Sequence, residues 1–168
     1  MKDSMSGKGM PIVVGVDGSP QSVLALKWAK KLAGPLNATI RAVSAWQVDV
    51  MYGTYVAYDG RSEAEDVLAQ ALAAAFGDER PDGLLATCRR GQSAQVLIEE
   101  AKSAQMLILG SRGHGGFAGM LLGSVSSACA AHATCPVLVV HGDEDPDADA
   151  APAAAASEAD AHEPAGTI

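Results

Sequence analysis

The residues with the clearest chemical meaning are glycines and serines near residue 110. Gly110 directly follows the apolar residues 106–109, Gly113 comes three residues later, and nine further residues separate Gly113 from Gly123 and Ser124. Glycines between a strand and a helix let backbone N–H groups approach a ligand, and a helix N-terminus adds unpaired donors and the positive end of a dipole. The pattern therefore favours the binding of a phosphate group.

Two known phosphate-binding loops do not match these glycines. A Walker A loop ends in Lys followed by Ser or Thr, and no such pair follows here. Residues 113–118 fit a GxGxx(G/A) string, but a dinucleotide fingerprint follows the first strand and has an acid about 20 residues further on. Here the string follows the fourth predicted strand, and Ala133 stands at the acid's position. A glycine-rich turn that only closes a βα unit is the alternative.

The apolar pattern predicts strands that alternate with helices. Strands are predicted at residues 11–16, 39–45, 84–89, 106–109 and 136–140. Ser19 and Pro20 favour the start of the first helix, after the first strand. Ser62 and Glu65 are typical of a capping box at the start of the second helix. Such alternation is typical of a parallel sheet covered on both faces, so we expect an α/β fold.

Polar side chains accompany the predicted phosphate site. Asp17 ends the first strand, and ligands of open α/β sheets bind beyond strand ends where the winding reverses. Its carboxylate could accept hydrogen bonds from ribose hydroxyls or help to hold a cation, or it could only cap the turn at Ser19. Ser124 is predicted to cap the fourth helix beside a bound phosphate. Arg112 and His114 could contact terminal phosphates or lie in solvent.

Composition argues against several classes of protein. The 168 residues fit one domain, and no apolar run approaches the roughly 20 residues of a membrane span. The net charge of −8 disfavours a nucleic-acid partner, because phosphate contacts need clustered bases. Three cysteines without a CxxC motif indicate free thiols and a cytoplasmic location. The scattered histidines predict no metal cluster, and no catalytic triad is recognisable.

The charge distribution divides the chain into three parts. Residues 1–10 are expected to form a flexible leader without the apolar core of a signal peptide. Residues 11–142 are expected to form the nucleotide-binding domain. The whole excess of −8 lies in residues 143–168, which contain eight acids and no Lys or Arg. Rich in Ala, Pro and acid, this tail buries too little surface to offset the entropy of ordering, so we expect it to be disordered.

At this point the chain resembles the universal stress protein family, from about residue 11 to residue 141. The resemblance rests on VGVDGSP at residues 14–20, GSRGHGG at 110–116 with GSV at 123–125, and CPVLVV at 135–140. The middle element is similar to the family's ATP-binding signature, G-x2-G-x9-G-(S/T). The resemblance implies an open five-stranded parallel sheet in the order 3-2-1-4-5, with helices on both faces.

The resemblance also implies where ATP would lie. Asp17 would serve the adenosine end, Val43 would flank the adenine, and the backbone of Gly110 and Gly113 would contact ribose and phosphates. The start of the fourth helix would hold the phosphates. The residues expected to contact the nucleotide are Gly15, Asp17, Val43, Leu109, Gly110, Arg112, Gly113, Gly123, Ser124 and Val125.

These observations predict a cytoplasmic, ATP-binding regulatory module of the stress response, with ATP, with or without Mg²⁺, as its cofactor. The resemblance implies a homodimer through the strand at residues 137–141. Two alternatives stay open: a slow ATPase or phosphotransferase in the same pocket, and a binder of AMP or cyclic AMP. The long aromatic connection at residues 46–60 is predicted to be either a mobile flap beside the adenine or a packed loop.

Overall fold

The computed structural model describes residues 9–49, 58–113 and 121–148. Strands and helices alternate along these residues. Their bounds are β1 Gly9–Gly15, α1 Pro20–Ala33, β2 Ala38–Trp46, β3 Val48–Asp49, β4 Tyr58–Asp59, α2 Gly60–Phe76, β5 Leu85–Arg90, α3 Ser93–Ala101, β6 Met106–Gly110, α4 Ser124–His132 and β7 Val137–Val140. Within the described ranges, no helix is long and apolar enough to cross a bilayer.

A five-stranded parallel sheet organises the fold in the order β5-β2-β1-β6-β7. Counted along the chain without β3 and β4, this is the order 3-2-1-4-5, so the predicted α/β fold is confirmed. Strand β1 lies in the centre and pairs with β2 on one side and β6 on the other. The winding reverses between β1 and β6, and an open sheet forms its ligand crevice at such a point.

The core lies on both faces of the sheet. Helices α1 and α2 cover one face around Ile12, Ile40 and Ile108. Helices α3 and α4 cover the other face around Val13 and Leu107. Because successive side chains of a strand point to opposite faces, a central strand buried on both faces must be apolar throughout. This explains the continuous apolar run of β1.

The connection at residues 46–60 contains a short antiparallel pair that the sequence pattern does not indicate. Val48 pairs with Asp59, and Asp49 pairs with Tyr58. Residues 50–57, which include most of the predicted flap, lie outside the described residues. The choice between a flap and a packed loop therefore stays a prediction.

Two of the predicted helix starts are wrong. Helix α1 begins as predicted, since Ser19 Oγ accepts the Ser22 amide at 3.2 Å. Helix α2 begins at Gly60 because β4 leads directly into it. Glu65, expected in a capping box with Ser62, accepts a hydrogen bond from Arg61 Nε at 2.8 Å. Helix α4 takes Gly123 as its N-cap, so Ser124 is its first residue rather than its cap.

The predicted disordered tail begins with residues that contact α1. Lys27 Nζ forms an ion pair with Asp145, and Lys31 Nζ donates to the Pro146 carbonyl at 2.8 Å. Composition alone does not reveal these contacts, which rest on charge complementarity with α1, and the disorder expected for residues 143–168 stays a prediction. Residues 1–8 and 149–168 lie outside the described residues, and the predictions for them stay predictions.

Candidate functional site

A cavity of about 770 Å³ opens at the carboxyl ends of β1, β2 and β6. The ten residues expected to contact a nucleotide all line it: Gly15, Asp17, Val43, Leu109, Gly110, Arg112, Gly113, Gly123, Ser124 and Val125. They come from four regions of the chain that only the folded sheet brings together. Their contact with a nucleotide stays a prediction, and His114 lies outside the described residues.

Asp17 connects the start of α1 to the glycine loop. Its Oδ1 accepts hydrogen bonds from the Ser19 amide at 2.9 Å and from the Ser19 hydroxyl at 2.5 Å. Its Oδ2 lies so close to Gly113 that a Cβ atom added to that glycine would overlap it. The carboxylate thus caps the turn, one of the two roles considered for it, while its second oxygen lies against the glycine loop.

Three hydrogen bonds position the two ends of the glycine loop. The Ser111 amide donates to the Val140 carbonyl at 2.8 Å, and the Gly123 amide donates to the Ser111 carbonyl at 2.7 Å. The Ser126 hydroxyl donates to the Gly110 carbonyl at 2.8 Å. These bonds join the end of β6 to the start of α4, so the residues before and after the loop line the same cavity.

The N-terminus of α4 lies at this cavity, and none of the described residues caps it with a side chain. Gly123 offers no side chain to the first turn, and the first backbone bond of the helix runs from the Ser127 amide to the Gly123 carbonyl at 2.9 Å. The first amides of a helix have no partner within it, and the helix dipole places partial positive charge there. Ser124 and Val125 in this turn line the cavity, which suits an anion.

Apolar side chains form a further part of the cavity wall. Val43 and Leu109 are almost completely buried, and Leu97 lies beside them from α3. A Cβ atom at Gly15 would lie 2.5 Å from Leu109 Cδ2 and 2.9 Å from Leu97 Cδ1. Gly15 therefore gives these leucines their space, and the leucines supply a surface that could cover a flat apolar group.

Sequence reasoning found only some of the lining that comes from the end of β2, from the first half of α2 and from the start of α3. These residues include Trp46, Gln47, Gly60, Glu63, Val67 and Ser93. The residues of α2 reach the cavity because the β3–β4 pair brings the start of α2 beside β2, and neither apolar periodicity nor a motif indicates that pairing. The aromatic connection predicted beside the adenine includes Trp46, Gln47 and Gly60, whereas the sequence does not indicate Glu63, Val67 or Ser93.

The cysteines of the chain do not supply a thiolate nucleophile. Burial raises the pKa of the Cys129 thiol to about 11. Burial also raises the pKa of Cys88, with the Glu65 carboxylate as a second cause, and that of Cys135. All three therefore stay protonated at neutral pH. In the part of the chain that the structure describes, no group of three His, Cys, Asp or Glu side chains is arranged to hold a metal ion.

The sequence matches a known protein family over most of its length. The model of the universal stress protein family matches residues 10–141. The chain belongs to the universal stress protein family. A universal stress protein of Mycolicibacterium smegmatis is 38% identical over 134 residues, which cover 78% of this chain and 45% of that protein. One of Mycobacterium tuberculosis is 39% identical over 132 residues, 77% of this chain and 44% of that protein. The chain thus spans about half the length of the curated relatives it matches.

Solved structures of the family share the fold. A universal stress protein from Lactobacillus plantarum has a TM-score of 0.66 at 21% identity, covering 81% of this chain and 100% of that chain. A universal stress protein in complex with cAMP has a TM-score of 0.61 at 27% identity, covering 79% and 97%. An Arabidopsis thaliana family member with AMP bound has a TM-score of 0.54 at 22% identity, covering 84% and 99%.

Proposed function

We propose that this chain binds an adenine nucleotide in the cavity at the ends of β1 and β6. One observation carries the proposal: the uncapped N-terminus of α4 and the Asp17 carboxylate lie on either side of Gly113. The Gly113 amide nitrogen is 3.9 Å from the Cβ position of Gly123, and Gly113 also lies against Asp17 Oδ2. An anion-binding helix end thus stands next to an acceptor for hydroxyl groups, as the phosphate and ribose of a nucleotide require.

The remaining lining supports the same proposal. Val43 and the neighbouring leucines offer an apolar surface to a base, while the amides at Ser124 and Val125 would donate to phosphate oxygens. The cavity volume of about 770 Å³ lies within the range of roughly 300–1,000 Å³ that small-molecule sites occupy. A whole nucleotide therefore has room.

We propose ATP, with or without Mg²⁺, as the ligand, because the spacing of Gly110, Gly113 and Gly123 matches the ATP-binding signature described above. A smaller adenine nucleotide is the second candidate. It is favoured by the relative in complex with cAMP, which is 27% identical to this chain. Titration calorimetry with ATP, AMP and cAMP on the purified full chain ranks these ligands directly.

A Gly123→Val variant tests the site. Apart from its chain neighbours, no atom of the residues that the structure describes lies closer than 3.5 Å to the Cβ position of Gly123, so the variant should fold. Its side chain would block the approach of phosphate to the α4 amides. Losing a hydrogen bond to a charged group costs about 1.5–3 kcal/mol, so we expect roughly ten- to a hundredfold weaker binding by calorimetry.

Ala131→Val is the matched control for this variant. It adds a valine to the exposed surface of the same helix, far from the cavity, and should leave affinity unchanged. The proposal fails if the wild type binds none of the three nucleotides, or if a folded Gly123→Val protein binds as tightly as the wild type.

A regulatory role in the stress response completes the proposal. Ser111 in the glycine loop is bonded to Val140 at the end of β7, so a ligand in the loop acts next to an edge of the sheet. We propose that nucleotide occupancy changes the binding of partner proteins to the sheet edge at β7. A single-turnover assay that recovers bound ATP unchanged would separate this role from that of a slow ATPase. The free thiols of all three cysteines support a cytoplasmic location for the protein.

The edge strand β7 is also the proposed dimer contact. Val137, Leu138 and Val139 are only half-buried, and an open strand edge invites pairing with another chain. We expect Val139→Asp to shift a homodimer towards monomer in light scattering, because a carboxylate at a paired edge is desolvated. Leu85→Asp changes an exposed residue on the opposite edge and should have no such effect. A wild type that stays monomeric at high concentration would refute the dimer.

A further inference from the structure

The outer surface of α1 carries a lysine pair that contacts the start of the acidic region. Lys27 and Lys31 are one helical turn apart and therefore share a face of the helix. Lys27 forms an ion pair with Asp145, and Lys31 Nζ donates to the Pro146 carbonyl at 2.8 Å. The Lys31 amine also lies 5.4 Å from the centre of the Trp28 ring, a cation–π distance that favours its position.

The segment that contacts these lysines, residues 143–148, contains a turn with hydrogen bonds of its own. The Asp147 amide donates to Asp145 Oδ1 at 3.0 Å, and the Ala148 amide donates to the Asp145 carbonyl at 3.0 Å. Asp followed by Pro is a typical start of such a turn. One carboxylate oxygen of Asp145 thus stabilises the turn while the other meets Lys27, and Pro146 is buried.

The charges on the two surfaces are complementary. Residues 143–168 hold eight acids and no base, and the α1 surface presents Lys27, Lys30 and Lys31. The hydrogen bond from Lys27 lowers the pKa of Asp145 below its ordinary value, so this carboxylate is ionised at neutral pH. Lys30 lies 3.8 Å from Glu79 instead, so it belongs to a different ion pair on the same helix.

We propose that Lys27, Trp28 and Lys31 form a docking surface for an acidic Asp-Pro-Asp segment, and that residues 143–148 occupy it as an intramolecular latch. Two contacts with α1 support this, an ion pair and a hydrogen bond to a backbone carbonyl, and the proline that carries this carbonyl is buried. A carboxylate alone would need only the ion pair. The surface therefore recognises a turn with an acid at its first position rather than negative charge in general.

The latch joins an element that borders the cavity to one that is bonded to the glycine loop. It follows β7, whose last residue bonds Ser111, and it lies on α1, whose first turn lines the cavity at Ser19 and Ser22. Release of the latch would therefore free both the acidic region and a basic surface on the cavity's helix. The proposal does not depend on which nucleotide the cavity takes.

Hydrogen exchange at the Ala148 amide tests the intramolecular contact in the full chain. Lys27→Glu should open the latch and speed exchange of this amide at least tenfold. Lys30→Glu, which makes the same charge change one turn away in a different ion pair, should leave the rate within about twofold, and Lys27→Arg should keep the protection. Equal rates in all four proteins would overturn the proposal, as would equal acceleration by Lys27→Glu and Lys30→Glu.

A labelled peptide with the sequence of residues 141–150 tests the docking surface itself. In fluorescence anisotropy, full-length Asp145→Ala, with its surface vacated, should bind this peptide at least tenfold more tightly than the wild type. Adding Lys27→Glu should remove that gain. A scrambled peptide of the same composition should bind weakly to every protein. Equal binding of the two peptides would show attraction by charge alone and overturn the proposal, and so would equal binding by wild type and Asp145→Ala.

Discussion

The first turns of α1 and α4 lie at the same edge of the sheet, yet they satisfy their backbone groups differently. Helix α1 is capped by Ser19, which Asp17 holds in turn, and its first residue is a proline without an N–H group. Helix α4 starts from Gly123 with no side-chain cap. Where neighbouring residues accept hydrogen bonds from the first amides of a helix, those amides are not available to a ligand. Where no residue does so, the amides can donate to a ligand.

The glycines beside the two helices differ in the same way. A Cβ atom at Gly110 would lie 2.7 Å from Gln21 Cβ and 3.0 Å from the Gln21 carbonyl carbon, so this glycine lets α1 pack against β6. Among the described residues, the nearest atom to a Cβ at Gly123, apart from its chain neighbours, would be the Ser111 carbonyl oxygen at 3.5 Å. One motif therefore contains a glycine that the fold requires and a glycine that only a ligand would require.

The largest expected effect comes from filling the space between β6 and α1. Gly110→Ala should lower the free energy of unfolding by about 1–3 kcal/mol, because the new methyl group overlaps Gln21 Cβ and crowds the backbone of α1, neither of which can turn away as the end of a side chain can. Denaturant unfolding followed by circular dichroism measures the loss. Unchanged stability would mean that α1 can move away from the sheet, and the contrast between the two helix starts would disappear.

A smaller effect is expected from removing the cap of α1. Ser19→Ala deletes the acceptor of the Ser22 amide and the donor to Asp17, and the loss of an N-cap costs about 0.5–2 kcal/mol. Ser124→Ala is the matched control, since this exposed serine is the first residue of α4 and not its cap; it should change stability by less than about 0.5 kcal/mol. Equal losses in the two variants would show that α4 depends on Ser124 after all.

The smallest change in stability should come from giving α4 the cap that α1 has. Gly123→Ser places a good capping hydroxyl at an extended residue with room for a Cβ atom, so stability should rise by a few tenths of a kcal/mol. Nucleotide affinity should fall, because the hydroxyl takes an amide proposed for phosphate. Thermal unfolding and calorimetry measure the two effects. A gain in both stability and affinity would contradict the division of roles between the two helix ends.

Sequence reasoning works best here for strands that are buried on both faces and for helix starts that depend on neighbouring residues in the chain. The apolar runs of β1 and β6 predict buried parallel strands because both faces of a central strand are covered. Ser19 and Pro20 mark the start of α1 because capping depends on neighbouring residues only. The same reasoning is wrong for α2, where β4 leads the chain into the helix before the apparent capping box at Ser62.

The sequence by itself determined the alternation of strands and helices and the glycine spacing of the loop, and its resemblance to a family indicated the strand order. Only the tertiary structure decided that Gly110 serves packing, that the β3–β4 pair brings Glu63 to the cavity, and that Asp145 meets Lys27. The physical reason is the range of the interactions. Periodicity and capping act between residues close in the chain, whereas close approach, cavity shape and ion pairing depend on groups that only the folded sheet brings together.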